Sequence, residues 1–214
     1  MTFVRRALGY TLTGDVREDC WFGCHGEGYN GKSTLFNVLH SVFADYSYVA
    51  PFSLVERGRN EGSRRDFDIA NLQNMRFVMA SETSEGGVWD EERLKRLSGG
   101  DALHAEIKFG AEFNFLPTHK LWFMFSHQPR VRDHSTGFWR RVRLIPFLRK
   151  FDGAIDDKFL SQKLESERAG ILRWLVKACL EWRSTDCRFR PRSWRRASAT
   201  KRRRIRSANF LSVT

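Results

Sequence analysis

Residues 26–33 carry the strongest chemical signal in the sequence, because they match the phosphate-binding pattern G-x-x-x-x-G-K-[ST] without a gap. Glycines in such a loop let successive backbone N–H groups face one anion. Lys32 would place its ammonium on the β- and γ-phosphates of a nucleotide, and the hydroxyl of Ser33 would ligate Mg²⁺. The sequence therefore predicts a site for ATP and Mg²⁺. The other residues predicted to bind the nucleotide are Gly26, Glu27, Gly28, Tyr29, Asn30, Gly31 and Thr34.

The segments on either side of this loop are those that a phosphate-binding loop requires. Residues 21–24 are a short apolar run that predicts a buried strand before the glycines. Residues 32–43 have helical spacing of apolar side chains, and a helix that begins there directs the positive end of its dipole at the phosphate. The alternative is a glycine-rich turn that only resembles the motif, and both flanks argue against it.

A second apolar run, residues 76–81, leads into Glu82. A carboxylate after such a strand can act as the general base or hold the magnesium shell. Position 81 is a serine rather than an aspartate, so we expect Ser33 and water to hold Mg²⁺ while Glu82 activates the attacking water. The alternative is that Glu82 is an ordinary carboxylate at a strand end.

Short buried strands alternate with helices along the chain, which is typical of an α/β sheet with crossover connections. Further strands are predicted at residues 103–109, 113–125 and 142–147, with Gly110 in a hairpin or bent connection. Further helices are predicted at residues 2–12, 67–72, 90–97 and 157–182, the last in two pieces around Gly170. Three parts follow from this pattern: a core of residues 1–150, C-terminal helices over 151–183 and a basic tail over 184–214.

The formal net charge is +12, and the segment 183–206 alone holds eleven Lys/Arg and one acid, which is +10 of that total. This segment is either an arm that binds a polyanion or a solvated, disordered terminus. No apolar run is long enough to span a membrane, and the first residues lack the pattern of a secretory signal. The 4 cysteines are too few and too scattered for a disulfide framework. These features predict a cytoplasmic protein with reduced thiols.

The order of the motifs resembles the helicase domain of phage and plasmid primase–helicases, within superfamily 3 of the AAA+ ATPases. The resemblance covers about residues 3–183, and its most particular parts are the segment 94–101, which contains Lys95 and Asp101, and the Trp139-Arg140-Arg141 run. It implies a three-layer αβα fold with a small C-terminal helical region. It also implies ATP at the subunit boundaries of a ring, usually a hexamer, and translocation on single-stranded DNA during replication. The other matching stretches are 9–15, 26–34, 44–46, 76–82, 115–117, 145–147 and 170–174.

The resemblance assigns roles to residues outside the phosphate loop. Arg140 and Arg141 match a pair that supplies an arginine finger to the ATP of the neighbouring subunit, and Arg141 is preferred. Lys108 and Phe109 would sit on a hairpin that contacts DNA, although Phe109 could equally pack in the core. Lys95 is either a further contact to DNA or an ordinary exposed lysine on a helix. The alternative is that Arg140 and Arg141 are ordinary basic residues on the surface of an edge strand.

Two positions depart from the pattern of the family. Ser126 follows the strand that should end in an asparagine which senses the γ-phosphate, and a serine cannot offer the amide pair. Glu106 stands where an arginine is usual. A separate primase is a possible partner. The main prediction is an active DNA helicase; the alternatives are an ATP- and DNA-binding remnant with little turnover, or another P-loop kinase or GTPase.

Overall fold

The computed structural model describes residues 2–57, 64–81, 88–126, 135–151 and 157–184 of the chain. The helices and strands alternate as the sequence predicts, and the α/β class is confirmed. The strands are β1 (Trp21–His25), β2 (Ser47–Val49), β3 (Phe77–Ser81), β4 (Leu103–Glu106), β5 (Glu112–Phe115), β6 (Lys120–Phe125) and β7 (Val142–Pro146). The helices are α1 (Thr2–Leu12), α2 (Lys32–Phe43), α3 (Arg64–Ala70), α4 (Glu91–Leu97), α5 (Thr136–Trp139), α6 (Leu160–Ser166) and α7 (Arg168–Ser184).

Five strands form one sheet in the order β2-β3-β6-β1-β7, and every pairing between them is parallel. In a parallel sheet the carboxyl ends of all strands meet at one edge, which is where ligands bind in open α/β sheets. The loop of residues 26–33 follows β1 at this edge, and β6 separates β1 from β3. This topology is consistent with a P-loop-like nucleotide-binding fold.

Neighbouring residues of each strand enter two different cores, because successive side chains in a strand point to opposite faces. Trp21 belongs to one buried cluster and Phe22 to the other, and the same alternation separates Leu121 from Trp122. The first cluster contains residues of α4 and of the β4–β5 pair, and the second contains residues of α1, α2 and α7. Both faces of the sheet are therefore covered, which suits strands that are mostly apolar.

The predicted strand over residues 113–125 was wrong, because it is two strands in two sheets. β5 pairs antiparallel with β4, whereas β6 pairs with β1 and β3. The segment between them contains Pro117, which has no backbone N–H to donate to a ladder. β2, which is only three residues long, was not predicted.

The C-terminal helices divide at a different residue from the one predicted. The break lies at Glu167, the C-cap of α6, and not at Gly170, which lies in the first turn of α7. A Cβ at Gly170 would meet no atom within 4 Å, so packing does not require a glycine at this position. Within the described part of the chain, no helix is long and apolar enough to cross a membrane.

The stretch 9–15, which the resemblance singled out, packs α1 against α7 and hydrogen-bonds to residues of β6. A Cβ on Gly9 would lie 2.4 Å from the backbone carbon of Ala178, so α1 and α7 touch at this glycine. The hydroxyl of Thr11 accepts a hydrogen bond from the indole Nε1 of Trp122 at 3.0 Å. The ammonium of Lys120 donates to the backbone oxygen of Thr13. This stretch therefore has a packing role, since it satisfies polar groups of β6.

Candidate functional site

The loop after β1 curls because three of its residues have positive φ. Gly26 has φ 156°, Tyr29 has φ 56° and Gly31 has φ 79°. A Cβ on Gly26 would lie 2.2 Å from the carbonyl oxygen of Phe147, so only glycine fits there. At Gly28, by contrast, a Cβ would meet no atom within 4 Å. The loop is therefore closely packed where it leaves the strand and open near its middle.

The side chain of Asn30 stabilises the loop through hydrogen bonds to its backbone, a role that the sequence did not indicate. Its side chain is buried, and its amide donates to the carbonyl of Glu27 and, at 3.3 Å, to that of Phe147. Its carbonyl oxygen accepts from the backbone N–H of Lys32 at 3.3 Å. The residue thus joins the first half of the loop to the start of α2. Its signal in the sequence was only its place inside the motif.

The ammonium of Lys32 lies within the curl of the loop. It donates to the carbonyl oxygen of Gly26 and, at 3.3 Å, to that of Glu27, and only 8% of the residue is exposed. Burial lowers the pKa of this lysine. Carbonyl oxygens are weaker partners for an ammonium than phosphate oxygens are, so an entering phosphate can take their place. The donor set and the open space at Gly28 fit a phosphate group.

Ser33 and Thr34 lie in the first turn of α2, just beyond the lysine. Ser33 is exposed and Thr34 is half-buried. Gly31 is the N-cap of the helix, and its carbonyl accepts from the backbone N–H of Leu35 at 3.0 Å. The helix N-terminus adds a positive dipole end beside the loop. An exposed hydroxyl here fits a magnesium ligand, as the motif predicts.

The carboxyl edge of the sheet brings Ser126 next to the phosphate loop. His25, the last residue of β1, is level with Phe125, and Ser126 follows directly and is exposed. On the other side of β6, Ser81 is level with Met124. Glu82 lies outside the described residues, and its role as general base and its part in the magnesium shell stay predictions.

A segment after β7, residues 147–151, runs beside the phosphate loop, which the sequence did not predict. The backbone N–H of Phe151 donates to the carbonyl of Tyr29 at 2.6 Å. The ammonium of Lys150 lies 2.5 Å from a carboxylate oxygen of Glu27, and the hydrogen bond lowers the pKa of that carboxyl. Lys150 thereby provides a counter-charge for the acidic side chain in a loop whose ligand would be an anion.

The arginine pair lies at the opposite, amino edge of the sheet. Arg140 follows α5, and the carbonyl of Arg141 accepts from the backbone N–H of Trp21 at 3.0 Å. The side chain of Arg140 is 59% exposed and that of Arg141 is 14% exposed, and both contact Asp19. The five residues of β1 separate this pair from the phosphate loop by roughly 17 Å. The pair therefore does not reach the loop of its own chain.

The hairpin of β4 and β5 presents an aromatic ring to solvent. Phe109 is 95% exposed and has φ 61°, and the ammonium of Lys108 lies 5.2 Å from the centre of its ring. The reading in which Phe109 packs in the core is therefore wrong. The strand register sets Glu106 opposite Glu112, and like charges at such a pair destabilise a hairpin.

The structure also locates Lys95, Asp101 and two of the cysteines. Lys95 is half-buried on α4 and Asp101 is exposed in the turn before β4. Cys20 and Cys24 are buried free thiols, and burial raises the pKa of each to about 12. Among the described residues no three His, Cys, Asp or Glu side chains form a group that could hold a metal ion.

Viral proteins named as helicases are similar to this chain in sequence. "Putative helicase L207/L206" of Acanthamoeba polyphaga mimivirus is 24% identical over 198 residues, which is 85% of this chain and 21% of that protein. "Putative helicase 022R" of Frog virus 3 (isolate Goorha) is 27% identical over 152 residues, 68% of this chain and 15% of that protein. The chain therefore spans about a fifth or less of the length of these relatives.

A solved structure shares the fold. The apo A form of the NrS-1 C-terminal region superposes with a TM-score of 0.65 at 17% identity, over 81% of this chain and 40% of that one. Residues 24–141, more than half of the chain and including the phosphate loop, match a protein family described as "Family of unknown function (DUF5906)". The chain belongs to this DUF5906 family.

Proposed function

We propose that the chain is the ATP-driven motor domain of a superfamily 3 DNA helicase of the AAA+ type. The observation that carries this proposal is the loop after β1, in which the buried ammonium of Lys32 donates to the carbonyls of Gly26 and Glu27. A cation in an open glycine loop at a helix N-terminus is built for the phosphates of a nucleotide. The relatives named as helicases support the choice of a motor over a metabolic kinase or a GTPase.

Within this proposal, each candidate residue of the nucleotide site has one task. Lys32 and the backbone N–H groups of the loop bind the β- and γ-phosphates, and Ser33 ligates Mg²⁺. Glu82 orients and deprotonates the attacking water. Ser126, placed beside the loop, donates one hydrogen bond toward the γ-phosphate side of the site. Mg²⁺ supplies charge neutralisation for the phosphates when it is bound.

A ring, most simply a hexamer, explains why the arginine pair lies far from the phosphate loop of its own chain. In a ring of such subunits the amino edge of one would serve the ATP of the next. Arg140 is the more exposed of the two, and we propose that it reaches the neighbour while Arg141 packs behind it. This reverses the preference drawn from the sequence, because a finger must leave its own surface.

Single-stranded DNA is the proposed track, and the β4–β5 hairpin is its proposed contact. An exposed ring can stack on a base and an adjacent ammonium can bind a phosphate, as Phe109 and Lys108 offer. Lys95 is a further proposed contact on α4. The basic tail from residue 185 onward lies outside the described residues and stays a predicted polyanion-binding arm. Action in the cytoplasm, in phage or plasmid replication and beside a separate primase belongs to the same proposal.

A remnant that binds ATP and DNA but turns over slowly is the second candidate. Two observations favour it: Ser126 stands at the place of the expected asparagine, and Glu106 is set opposite Glu112 on the hairpin. A shorter sensor side chain weakens alignment of the γ-phosphate, and two carboxylates on the hairpin repel a DNA phosphate. Both candidates share the nucleotide site, so turnover separates them.

The experiment is ATP hydrolysis by the purified chain with and without single-stranded DNA, using Lys32→Ala as the blank. We expect hydrolysis that DNA stimulates and that the variant loses. Binding of ATP without turnover, at protein concentrations where a ring forms, would establish the remnant instead. Tight ATP binding by Lys32→Ala would contradict the nucleotide site itself.

A further inference from the structure

Asp19 occupies a strained position immediately before β1. Its φ is +45°, and its backbone N–H donates to the carbonyl of Val16 at 3.0 Å to close a turn. A residue other than glycine is disfavoured in this region, and aspartate and asparagine tolerate it best. The turn holds the carboxylate at the amino edge of the sheet, beside the start of β7.

One carboxylate there contacts two consecutive arginines. Its Oδ2 lies 3.4 Å from Nη2 of Arg140, and its Oδ1 lies 3.3 Å from Nη1 of Arg141. Nη1 of Arg141 is buried and makes no hydrogen bond of good geometry with any described residue, so its contact with Asp19 is an ion pair rather than a hydrogen bond. The carboxylate thus balances two adjacent guanidinium groups of which one is mostly buried.

Asp19 is joined to the rest of the site through β1. The backbone N–H of Trp21, two residues later, donates to the carbonyl of Arg141 at 3.0 Å. β1 then runs to the phosphate loop at its other end. Asp19 therefore lies two residues before the strand that leads to the phosphate loop at its other end.

We infer that Asp19 is a positioning residue, which holds Arg140 in the orientation that reaches the ATP of a neighbouring subunit. This inference rests on the proposed function, because it requires a ring and turnover of ATP. Asp19 touches no substrate and acts through the arginine alone. Loss of its charge should impair the chemical step at the neighbour while the subunit's own nucleotide site stays intact.

The test is Asp19→Asn, which keeps a side chain that tolerates the strained backbone and removes only the charge. We expect kcat for ATP hydrolysis to fall by about tenfold or more, as misplacement of a catalytic group by an ångström does. KM for ATP should stay close to that of the unaltered protein. The matched control is Asp15→Asn, since Asp15 lies on the same edge but pairs with Arg17; its kcat should be unchanged.

Mixed rings supply a readout that a merely structural role would not move. Lys32→Ala subunits lack a working nucleotide site but keep the arginine pair and Asp19, whereas Asp19→Asn subunits have the reverse defect. An equal mixture should hydrolyse ATP about twofold or more faster than the same total amount of Asp19→Asn protein alone, because complementary interfaces form.

Three results would overturn the inference, and they are distinct from failure of the proposed function. The first is an unchanged kcat for Asp19→Asn, the second is a loss confined to KM, and the third is a mixture no faster than its parts. If instead the unaltered protein binds ATP without hydrolysing it, the motor itself is refuted and the inference falls with it.

Discussion

Among the residues that the structure describes, two lysines are buried against backbone carbonyls, one at each edge of the sheet. Lys32 is 8% exposed and donates to Gly26 and Glu27 at the carboxyl edge. Lys120 is 2% exposed and donates to carbonyls of Thr13 and Thr118 at the amino edge. Burial lowers the pKa of both side chains, and lowers that of Lys120 to about 7.

What distinguishes the two lysines is the closure of the space around the ammonium. Beside Lys32 the loop is open at Gly28, where a Cβ would meet no atom within 4 Å. The ammonium of Lys120 lies 4.5 Å from the ring centre of Tyr10, a residue of the α1 segment that packs on α7. An ammonium in an open loop can exchange its carbonyl partners for a ligand, whereas an enclosed ammonium cannot. The same residue type, with the same kind of partner, is thus a proposed binding group in one region and a structural group in the other.

The sharpest way to break this comparison is to measure ATP affinity after removing each ammonium. We expect Lys32→Ala to weaken binding of ATP and Mg²⁺ about a hundredfold, since a hydrogen bond to a charged group contributes roughly 2–3 kcal/mol. Lys120→Met should leave the affinity for ATP within about twofold, because the space around the Lys120 ammonium is closed to a ligand. Titration calorimetry measures both, and an equal loss in the two variants would contradict the distinction.

A smaller effect is expected in the pH dependence of stability. An unfolded lysine titrates near about 10.4, so between pH 7 and 10 the unfolded chain binds more protons at Lys120 than the folded chain does. The free energy of unfolding should therefore rise with pH relative to Lys120→Met, by at most about 1.4 kcal/mol per pH unit. Below pH 7 the difference between the two proteins should level off.

Urea denaturation of both proteins at several pH values from 6 to about 10 measures this slope. Lys108→Met, which removes an exposed lysine, is the control and should show no such trend. Parallel pH profiles for the unaltered protein and Lys120→Met would show that Lys120 is solvated in the folded chain.

The hairpin extends the comparison from lysines to the rings beside them. Tyr10 covers a lysine inside the core, whereas Phe109 and Lys108 lie together in solvent. We expect Phe109→Ala to weaken binding of single-stranded DNA about tenfold, the loss of one base stacked on a ring. Leu116→Ala, at another exposed apolar residue near the hairpin, should have little effect. Equal affinities for all three proteins, in a fluorescence anisotropy titration at one salt concentration, would remove the hairpin from the DNA contact.

The smallest expected effect concerns the charge of the phosphate loop itself. Lys150→Gln should weaken ATP binding about threefold, because it leaves the carboxylate of Glu27 unbalanced near the phosphates, and exposed ion pairs have small effects. The double variant Glu27→Gln/Lys150→Gln should return to the original affinity. A double variant as weak as Lys150→Gln alone would mean that Lys150 acts on the nucleotide directly, and not through Glu27.

Local signals in the sequence were enough to predict much of the fold. Both ends of α1 and α2 were predicted correctly, because their apolar spacing is regular and α2 begins at a motif that fixes its first residue. The break at Gly170 and the strand over 113–125 were wrong for one common reason. A glycine or an apolar run has no local sign of its packing partners, and those partners decide where an element ends.

The sequence by itself predicted the α/β class, which the structure confirms, and the loop of residues 26–33 with Lys32 and Ser33, since both depend on short-range spacing along the chain. Only the tertiary structure showed that Asp19 contacts Arg140 and Arg141, residues more than a hundred positions away, and that Asn30 and the segment 147–151 brace the loop. Such contacts depend on strand order and register. Strand order and register follow from how the whole sheet is packed on both faces, and no local pattern encodes them.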